Sequence, residues 1–456
     1  MIRMIQGMEK VFTYSKFALF FSLGLGGSAW GIGSASVEST GFLRNSSNRA
    51  SSATTLFVGP EWQGEGRYLG GKVSVQAVAL VENKSAVTFY GKDFALQSSS
   101  KVSENNRVSL GRRHLDWSMS DGAWRSGIWN PRFLHDALAP RTAGLDGLFA
   151  EVQPLEWLKI QAMGSYLSLP EMGYPTETKN GKLVTANPWN VPPPESLVIQ
   201  GKEVSIRYLV EYPSTASMIL KPSAALAVRA GKKTGLWGSA TYGFLPIHQP
   251  DLTVEASLRP RETALDAVIR PRILSHHLAQ LEAGWVDEDW VGWSSVTREM
   301  PIGFPSVKGR FDRPVGPSWI FGFGNELKLT PKIAINQAFI YVRESLPTQS
   351  TTNPLANVSL PLPSRFPLER AIRAGMSWSN LERWAGDAAL AHDLLYSSTH
   401  ISTGVAFKSG WLKIELAEGG ITFTAGVDGI FSQSAKGWIG NQKGNDRMRG
   451  GVSYAF

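Results

Sequence analysis

The sequence predicts an all-β fold, a single transmembrane antiparallel β-barrel of about 16–18 strands. Three observations predict it. Strict period-two alternation of apolar and polar residues recurs in segments of roughly ten residues separated by turn-formers, the pattern of strands with one apolar and one wet face. Only 18% of the 456 residues are charged, against about 25% in ordinary soluble chains, so part of the surface meets something other than water. No apolar run beyond the N-terminus reaches the about 18 residues of a membrane helix, and a chain of this composition therefore crosses with strands.

At the N-terminus, Lys10 and Lys16 precede the apolar stretch Phe17 to Leu25, and small residues follow through Ser36. That is the order of a secretory signal peptide, with an apolar stretch too short to span a bilayer. Gly27-Ser28-Ala29 and Gly33-Ser34-Ala35 both set small residues three and one positions before a cut, which places cleavage between 29 and 36. A start at Met8 gives the basic region ordinary length. The competing reading, a buried helix in a cytosolic fold, sits badly with the Ser-rich stretch 37–55. The chain thus divides into a signal peptide over 1–35, a flexible N-terminal segment over 36–68 and the barrel over 69–456.

The last segment shows the alternation most plainly, with Met448, Gly450, Val452, Tyr454 and Phe456 on one face and Arg447, Arg449, Gly451, Ser453 and Ala455 on the other. Residues 202–212 set Val204, Ile206, Tyr208, Val210 and Tyr212 against Glu203, Ser205, Arg207 and Glu211. Ile372, Ala374, Met376 and Trp378 oppose Arg373, Gly375 and Ser377. Candidate strands fall near 69–82, 86–98, 106–117, 144–153, 156–168, 202–213, 223–231, 234–245, 251–258, 262–273, 276–286, 288–299, 317–329, 332–345, 370–379, 383–391, 400–417, 420–431 and 446–456. The count is odd, whereas single-chain bacterial barrels have an even number. Counting sides from both termini puts 118–143, 169–201, 300–316, 346–369 and 432–445 on one side, and the two counts collide between 202 and 331. One strand split in two there would leave 18, with 16 the next choice. Within 400–417 the apolar phase changes near Ser409-Gly410, which a β-bulge or a tight hairpin would explain. Trp117, Trp157, Trp237, Trp285, Trp319, Trp378, Trp411 and Trp438 stand near proposed strand ends, as a head-group girdle requires.

Absence of cysteine removes disulfides, thiol catalysis and cysteine-bound metals. The formal charge is +8, and loss of residues 1–35, with Arg3, Lys10 and Lys16 against Glu9, leaves about +6, an excess that favours anionic solutes or acidic head groups. No basic run with interleaved aromatics points to nucleic acid. His114 and Asp116 are two apart, the minimum for an acid–base pair, yet no nucleophile motif and no metal-ligand spacing accompanies them. No catalytic, cofactor or metal site is expected, and an enzyme is not.

The candidate lumen-lining residues are charged. Arg112 is in step with His114 and Asp116, and Arg207, Arg373, Lys413, Arg447 and Arg449 project to the polar side of their strands alongside Glu415 and Asp428. Charges of both signs across a lumen make a transverse field that selects solutes. The same charges could instead pair with one another and fill the interior.

Val452, Tyr454 and the terminal Phe456 together resemble the C-terminal signature of Gram-negative outer-membrane barrels. In that family the signature is read by the outer-membrane assembly machinery, so the resemblance implies that machinery and outer-membrane lipids as partners. Residues 106–117, with Val108-Ser109-Leu110-Gly111-Arg112 and Trp117, are similar to a strand of porin-like and polysaccharide-exporting barrels. The resemblance implies an outer-membrane porin-like barrel without naming a substrate. A barrel of about 16–18 strands leaves an aqueous lumen, so a porin-like channel for passive or weakly selective passage of small polar solutes is expected, and the excess positive charge extends the expectation to anionic ones. A second reading is a structural or surface-interaction barrel whose lumen is blocked and whose long loops 118–143 and 169–201 do the work. Pro188, Trp189, Pro192, Pro193 and Pro194 make the second loop an ordered one, suited to folding into a pore or presenting a surface.

Overall fold

A computed structural model describes residues 32–455 except 44–51, 82–86, 137, 174–175, 186–194, 200, 260–263, 303–309, 313–314, 346–365, 380–382, 410–420, 434–438, 440–441 and 443–444. Eighteen strands form the wall. They are β1 (Ile32–Phe42), β2 (Ser52–Glu65), β3 (Leu69–Leu80), β4 (Val87–Ser98), β5 (Asn106–Arg113) and β6 (Leu145–Leu155). Next come β7 (Leu158–Leu167), β8 (Leu220–Gly231), β9 (Gly235–Pro246), β10 (Ser275–Val286), β11 (Trp290–Ile302) and β12 (Ser318–Thr330). The last are β13 (Ile333–Glu344), β14 (Arg370–Ser379), β15 (Trp384–Asp393), β16 (Ser398–Ser409), β17 (Ile421–Ser432) and β18 (Arg447–Ala455). Each pairs antiparallel with the next, and β1 pairs with β18 from Ser34 opposite Ala455 to Phe42 opposite Arg447. The cylinder has no edge, so every strand finds its ladder partners inside the wall.

Alternation assigns the faces. Met448 and Val452 are exposed while Arg447 between β1 and β17 is buried, and Ile372 and Met376 are exposed beside buried Ala371. Leu148 is bare while Phe149 is covered. The outward face is thus a band of mostly apolar exposed side chains suited to lipid, and most charged residues of the wall point inward. Trp157, Trp285, Trp290, Trp378 and Trp384 are exposed and ring the end that carries the short turns, whereas Trp319 stands at the opposite end. Two members of the expected girdle are elsewhere: Trp117 and Trp237 are buried inside. Trp411 and Trp438 lie outside the described residues.

Sixteen of the wall strands correspond to segments recognised by alternation, and the discrepancy has two sources. The 36–68 stretch, expected to be flexible, holds most of β1 and all of β2. No strand is split between 202 and 331; instead, three alternating segments there leave the wall. Lys202–Val210, Asp251–Arg259 and Ala264–Arg272 join Ser196–Ile199 and Arg310–Asp312 in a separate five-stranded sheet, in which Ser205–Val210 runs parallel to Ala264–Ile269. Their alternation is real but serves a small core of Val204, Ile206, Tyr208, Val254, Leu265 and Ala267 rather than lipid. Period two reports a half-buried strand and cannot distinguish what buries it. At the other doubtful place, Ser409 stands opposite Ile421, and residues 410–420 lie outside the described set. The long connections 114–144, 168–219, 247–274, 303–317, 345–369 and 433–446 all fall at one end, as side-counting required, together with the four-residue turn 394–397, and the other end carries connections of two to seven residues apart from 410–420.

The register of β1 bears on signal cleavage. A cut after Ala35 would remove Ile32–Ala35 and deprive Tyr454 and Ala455 of their β1 partners, whereas a cut after Ala29 leaves the strand whole. Mass spectrometry of the mature protein is expected to find Trp30 first; a chain beginning at Ser36 would contradict this.

Candidate functional site

One connection does not stay outside. At Gly111 the backbone adopts φ +128°, and a Cβ there would lie 2.1 Å from the Phe94 carbonyl oxygen, so the β4–β5 approach requires glycine. Two residues later β5 ends, the His114 amide donates to Asp93 Oδ1 (2.8 Å), and residues 114–144 leave the wall. This segment contacts the inward faces of strands on every side of the cylinder. A chain that does so lies in the lumen.

The local fold follows from a few polar residues. Ser118 caps the short helix α1 (Met119–Trp124), accepting from the Asp121 amide at 3.0 Å. Asp121 then accepts from the amides of Gly127 (3.0 Å), Ile128 (3.2 Å), Trp129 (3.1 Å) and Asn130 (3.2 Å), and from Ser126 Oγ. One carboxylate thus satisfies four backbone donors that would otherwise be stranded in a buried turn. Asn130 clasps Leu115 in both directions, Nδ2 to its carbonyl at 2.8 Å and Oδ1 from its amide at 3.2 Å. Such chemistry lets irregular backbone be buried at all.

Fastenings to the wall come next. Glu282 on β10 accepts from Ser118 Oγ (3.0 Å) and the Met119 amide (3.1 Å), and Gln280 accepts from the Trp129 indole. Arg373 on β14 donates to the Ala123 carbonyl at 2.7 Å. A Cβ at Gly322 on β12 would fall 2.4 Å from Ser120 Oγ, so the missing side chain lets α1 lie flat against the wall. Arg141 reaches Glu38 on β1 (2.6 Å) and Gln76 on β3 (3.1 Å), with its guanidinium 3.8 Å from the Phe57 ring centroid. Arg447 on β18, fully buried, lies between Asp136 (2.9 Å) and Asp428 (2.5 Å). Apolar contacts complete the fit: Trp117 meets Trp129 edge to face, and Leu138, Trp124 and Ile128 pack on Ile320, Ile340, Ala371 and Ile430.

The expected lumen residues distribute unevenly. Arg373, Asp428, Arg447 and Arg449 are inward and converge on this segment or on one another, with Arg449 2.8 Å from Asp428 and His400 3.2 Å from it. Arg112 is buried and grips Asp146 through both oxygens (2.9 and 2.6 Å), joining β5 to β6. The step from Arg112 to His114 and Asp116 does not hold, because the strand ends first; His114 Nε2 and Asp116 Oδ1 are 3.2 Å apart, with the carboxylate exposed. Arg207 is not in the lumen: it lies in the outer sheet, 3.9 Å from Asp266. Lys413, Glu415 and Phe456 lie outside the described residues. Val452 faces outward and Tyr454 pairs with Ala35 and Ile421 in the closing seam. Among the described members of residues 169–201, offered as a loop to fold into the pore or to present a surface, are the hairpin Thr176–Lys179 and Lys182–Thr185 and the strand Ser196–Ile199; near their start Glu171 pairs with Arg132 at 2.5 Å.

Asp121, Asn130, Asp136, Arg141, Gln280 and Glu282 escaped the sequence reading. A signal for them exists. Trp117, Trp124, Trp129, Phe133, Leu134 and Leu138 are too many large apolar residues for a loop in water, and Ser118 three before Asp121 is a helix-start pattern.

Burial also sets protonation. It pushes His135 down to about 4 and His248, whose Nε2 donates to the Trp129 carbonyl at 3.2 Å, down to about 3. Burial alone would raise Asp136, but the Arg447 charge and hydrogen bonds win and hold it below the usual carboxylate range.

No family model matches the chain, and no curated protein does. Among solved structures it is similar to Pseudomonas aeruginosa OccK9 (OpdG), 10% identical over 94% of this chain and 97% of that one, TM-score 0.46. It is also similar to Pseudomonas aeruginosa OpdQ, 8% identical over 94% and 97%, TM-score 0.44, and to Acinetobacter baumannii OccAB3, 12% identical over 93% and 99%, TM-score 0.43. The closed wall and its infolded segment stand on the chain's own pairings and contacts.

Two outcomes are expected of variants here. Arg447→Met leaves Asp136 and Asp428 buried without their shared cation, and should cost about 3–5 kcal/mol in denaturant unfolding; an unchanged midpoint would remove the tether from the account. The histidines are neutral when folded and ordinary when unfolded, so their stabilisation is complete above about pH 6.5 and is lost as pH falls towards 4. Hydrogen-exchange protection factors across 114–144, which are corrected for the slower intrinsic exchange in acid, should therefore fall on acidification in the wild type and less so in His135→Gln/His248→Gln. Equal acid response in both would contradict this.

Proposed function

We propose that the chain is an outer-membrane porin-like channel through which small polar solutes pass a lumen narrowed by residues 114–144. The observation that carries the reading is the attachment of that segment to opposite sides of an 18-strand wall. A cylinder of about this strand number is too wide for its own side chains to fill and holds water. A segment tied across it divides the opening without sealing it by necessity.

Charge pairing narrows the candidates for contact with solute. Arg447, Arg449, Arg132 and Arg141 face carboxylates at 2.5–2.9 Å and act as tethers. Arg229 and Arg373 differ. The first stands 4.3 Å from the Trp237 ring centroid and the second binds a carbonyl, and neither forms an ion pair with a carboxylate among the described residues. With a mature charge of about +6, they supply the positive potential that favours anions. A second reading, a blocked barrel acting through its outer sheet and loops, is favoured by the same tethers if they close the remaining gap.

Planar-bilayer recording tests both. The mature protein is expected to form channels with a modest anion preference that weakens as salt rises, because the Debye length falls from about 10 Å at 0.1 M to about 3 Å at 1 M. Arg229→Gln/Arg373→Gln should reduce that preference, by roughly half if the pair dominates the lumen potential. Removing residues 119–139 should raise conductance. Absence of conductance even after that removal would contradict a channel and favour the blocked barrel.

A further inference from the structure

The outward face of β10 to β15 is largely apolar, with scattered neutral polar residues such as Asn325 and Gln337, and its arginines sit together. Outward positions are those in step with exposed Leu281, Met300, Trp319, Phe321, Phe323, Ile372, Met376 and Trp384 and out of step with buried Ile320, Ile340, Val342 and Ala371. Along these six strands they hold three charged residues, all arginine: Arg298, Arg343 and Arg370. Each is at the end that carries the long connections. Arg298 lies four residues before the end of β11, Arg343 beside the last residue of β13, and Arg370 opens β14.

Register brings them to one patch. Arg298 is opposite Trp319, and Trp319 is opposite Arg343, so the two positions are about 10 Å apart across two strand spacings. Arg370 is opposite Tyr341, two residues along from Arg343 on the neighbouring strand. Aromatic faces carry two of the guanidinium groups, at 4.8 Å between Arg298 and the Trp319 centroid and 5.1 Å between Arg370 and the Tyr341 centroid. Among the described residues none of the three forms an ion pair.

On a lipid-facing wall this arrangement needs an explanation. An arginine costs about 2–4 kcal/mol at the bilayer midplane and about 0–1 kcal/mol near the interface, so three at one rim are tolerable there, and their clustering puts them where head groups lie. Stacking on a ring holds a guanidinium flat and leaves its N–H edge free for a bidentate anion, a geometry that suits phosphate. We propose that Arg298, Arg343 and Arg370 form a site for a phosphate-bearing lipid head group in the leaflet at the long-loop end. The inference rests on the barrel crossing a bilayer in this orientation and is independent of whether its lumen conducts.

The test compares folded wild type with Arg298→Gln/Arg343→Gln/Arg370→Gln in a non-ionic detergent, each titrated with bis-phosphorylated lipid A, with the same lipid lacking phosphates, and with inorganic phosphate. Bound lipid is read by native mass spectrometry, and wall integrity by heat-modifiable gel mobility. Saturable binding of the phosphorylated lipid to wild type is expected, weakened about tenfold or more in the variant, with little binding of the dephosphorylated lipid. Equal binding by the variant, or equal binding of the dephosphorylated lipid, would overturn the proposal. Full competition by inorganic phosphate at matched concentration would also overturn it, because the site would then recognise the free ion. Should the triple variant fail to fold, Arg343→Gln, the guanidinium without an aromatic partner, is measured the same way, and unchanged affinity there would count against the site.

Discussion

Hydrocarbon offers no partner for a backbone amide, and the rest of this structure depends on that constraint. A wall of strands meets it only by closing, which here falls to the seam between β1 and β18, nine paired positions from Ser34–Ala455 to Phe42–Arg447. Closure with eighteen strands fixes a circumference, and the circumference leaves an interior too wide for wall side chains to fill. The infolded segment is the answer to the second problem, as the seam is to the first. Arg447 links the two. It opens the seam strand and, through Asp136, holds the segment.

The segment obeys the same rule on a smaller scale. Irregular backbone is admitted to a buried space only when its donors are met, and Asp121 meets four of them while Asn130 meets Leu115 twice. Most of its charged contacts with the wall are pairs, so the interior is less a field of free charges than a set of ties with a few guanidinium groups left over. Arg229 and Arg373 are those on which solute selection is argued to rest.

Much of the wall was legible in the sequence because its grammar is local. Period two, with Met448, Val452 and Ile372 outward and Arg447 and Arg373 inward, reads the same in one strand as in eighteen. The misreadings have physical causes. Lys202–Val210 alternates as strictly as any wall strand, yet Ile206 turns to a protein core of its own, and no pattern within the strand records which apolar medium it meets. β1 and β2 were missed because Ser34, Ser36, Ser39 and Thr40, with Thr54 and Thr55, blur the contrast between faces. The site was less legible. Asp428 and Arg447 were found as inward charges, but Asp136 and Glu282 act across 311 and 163 residues of chain, and no spacing rule reaches that far. The prolines of 169–201 mark an ordered loop, suited to a pore or to a surface, whereas the large apolar residues of 114–144 held the stronger clue to what lies inside.

The central claim is that residues 114–144 lie within the closed wall, against its inner face. The chain has no cysteine, so a disulfide can be placed where the claim is sharpest. A Cβ at Gly322 would lie 3.1 Å from Ser120 Cβ, short of the range of about 3.5–4.5 Å that a disulfide needs, so α1 must ease off the wall by roughly 0.4 Å or more to admit the bridge. Ser120→Cys/Gly322→Cys should cross-link on oxidation in the assembled barrel, read as a protected thiol pair and a linked tryptic peptide. Free thiols in folded, oxidised barrels would contradict the account.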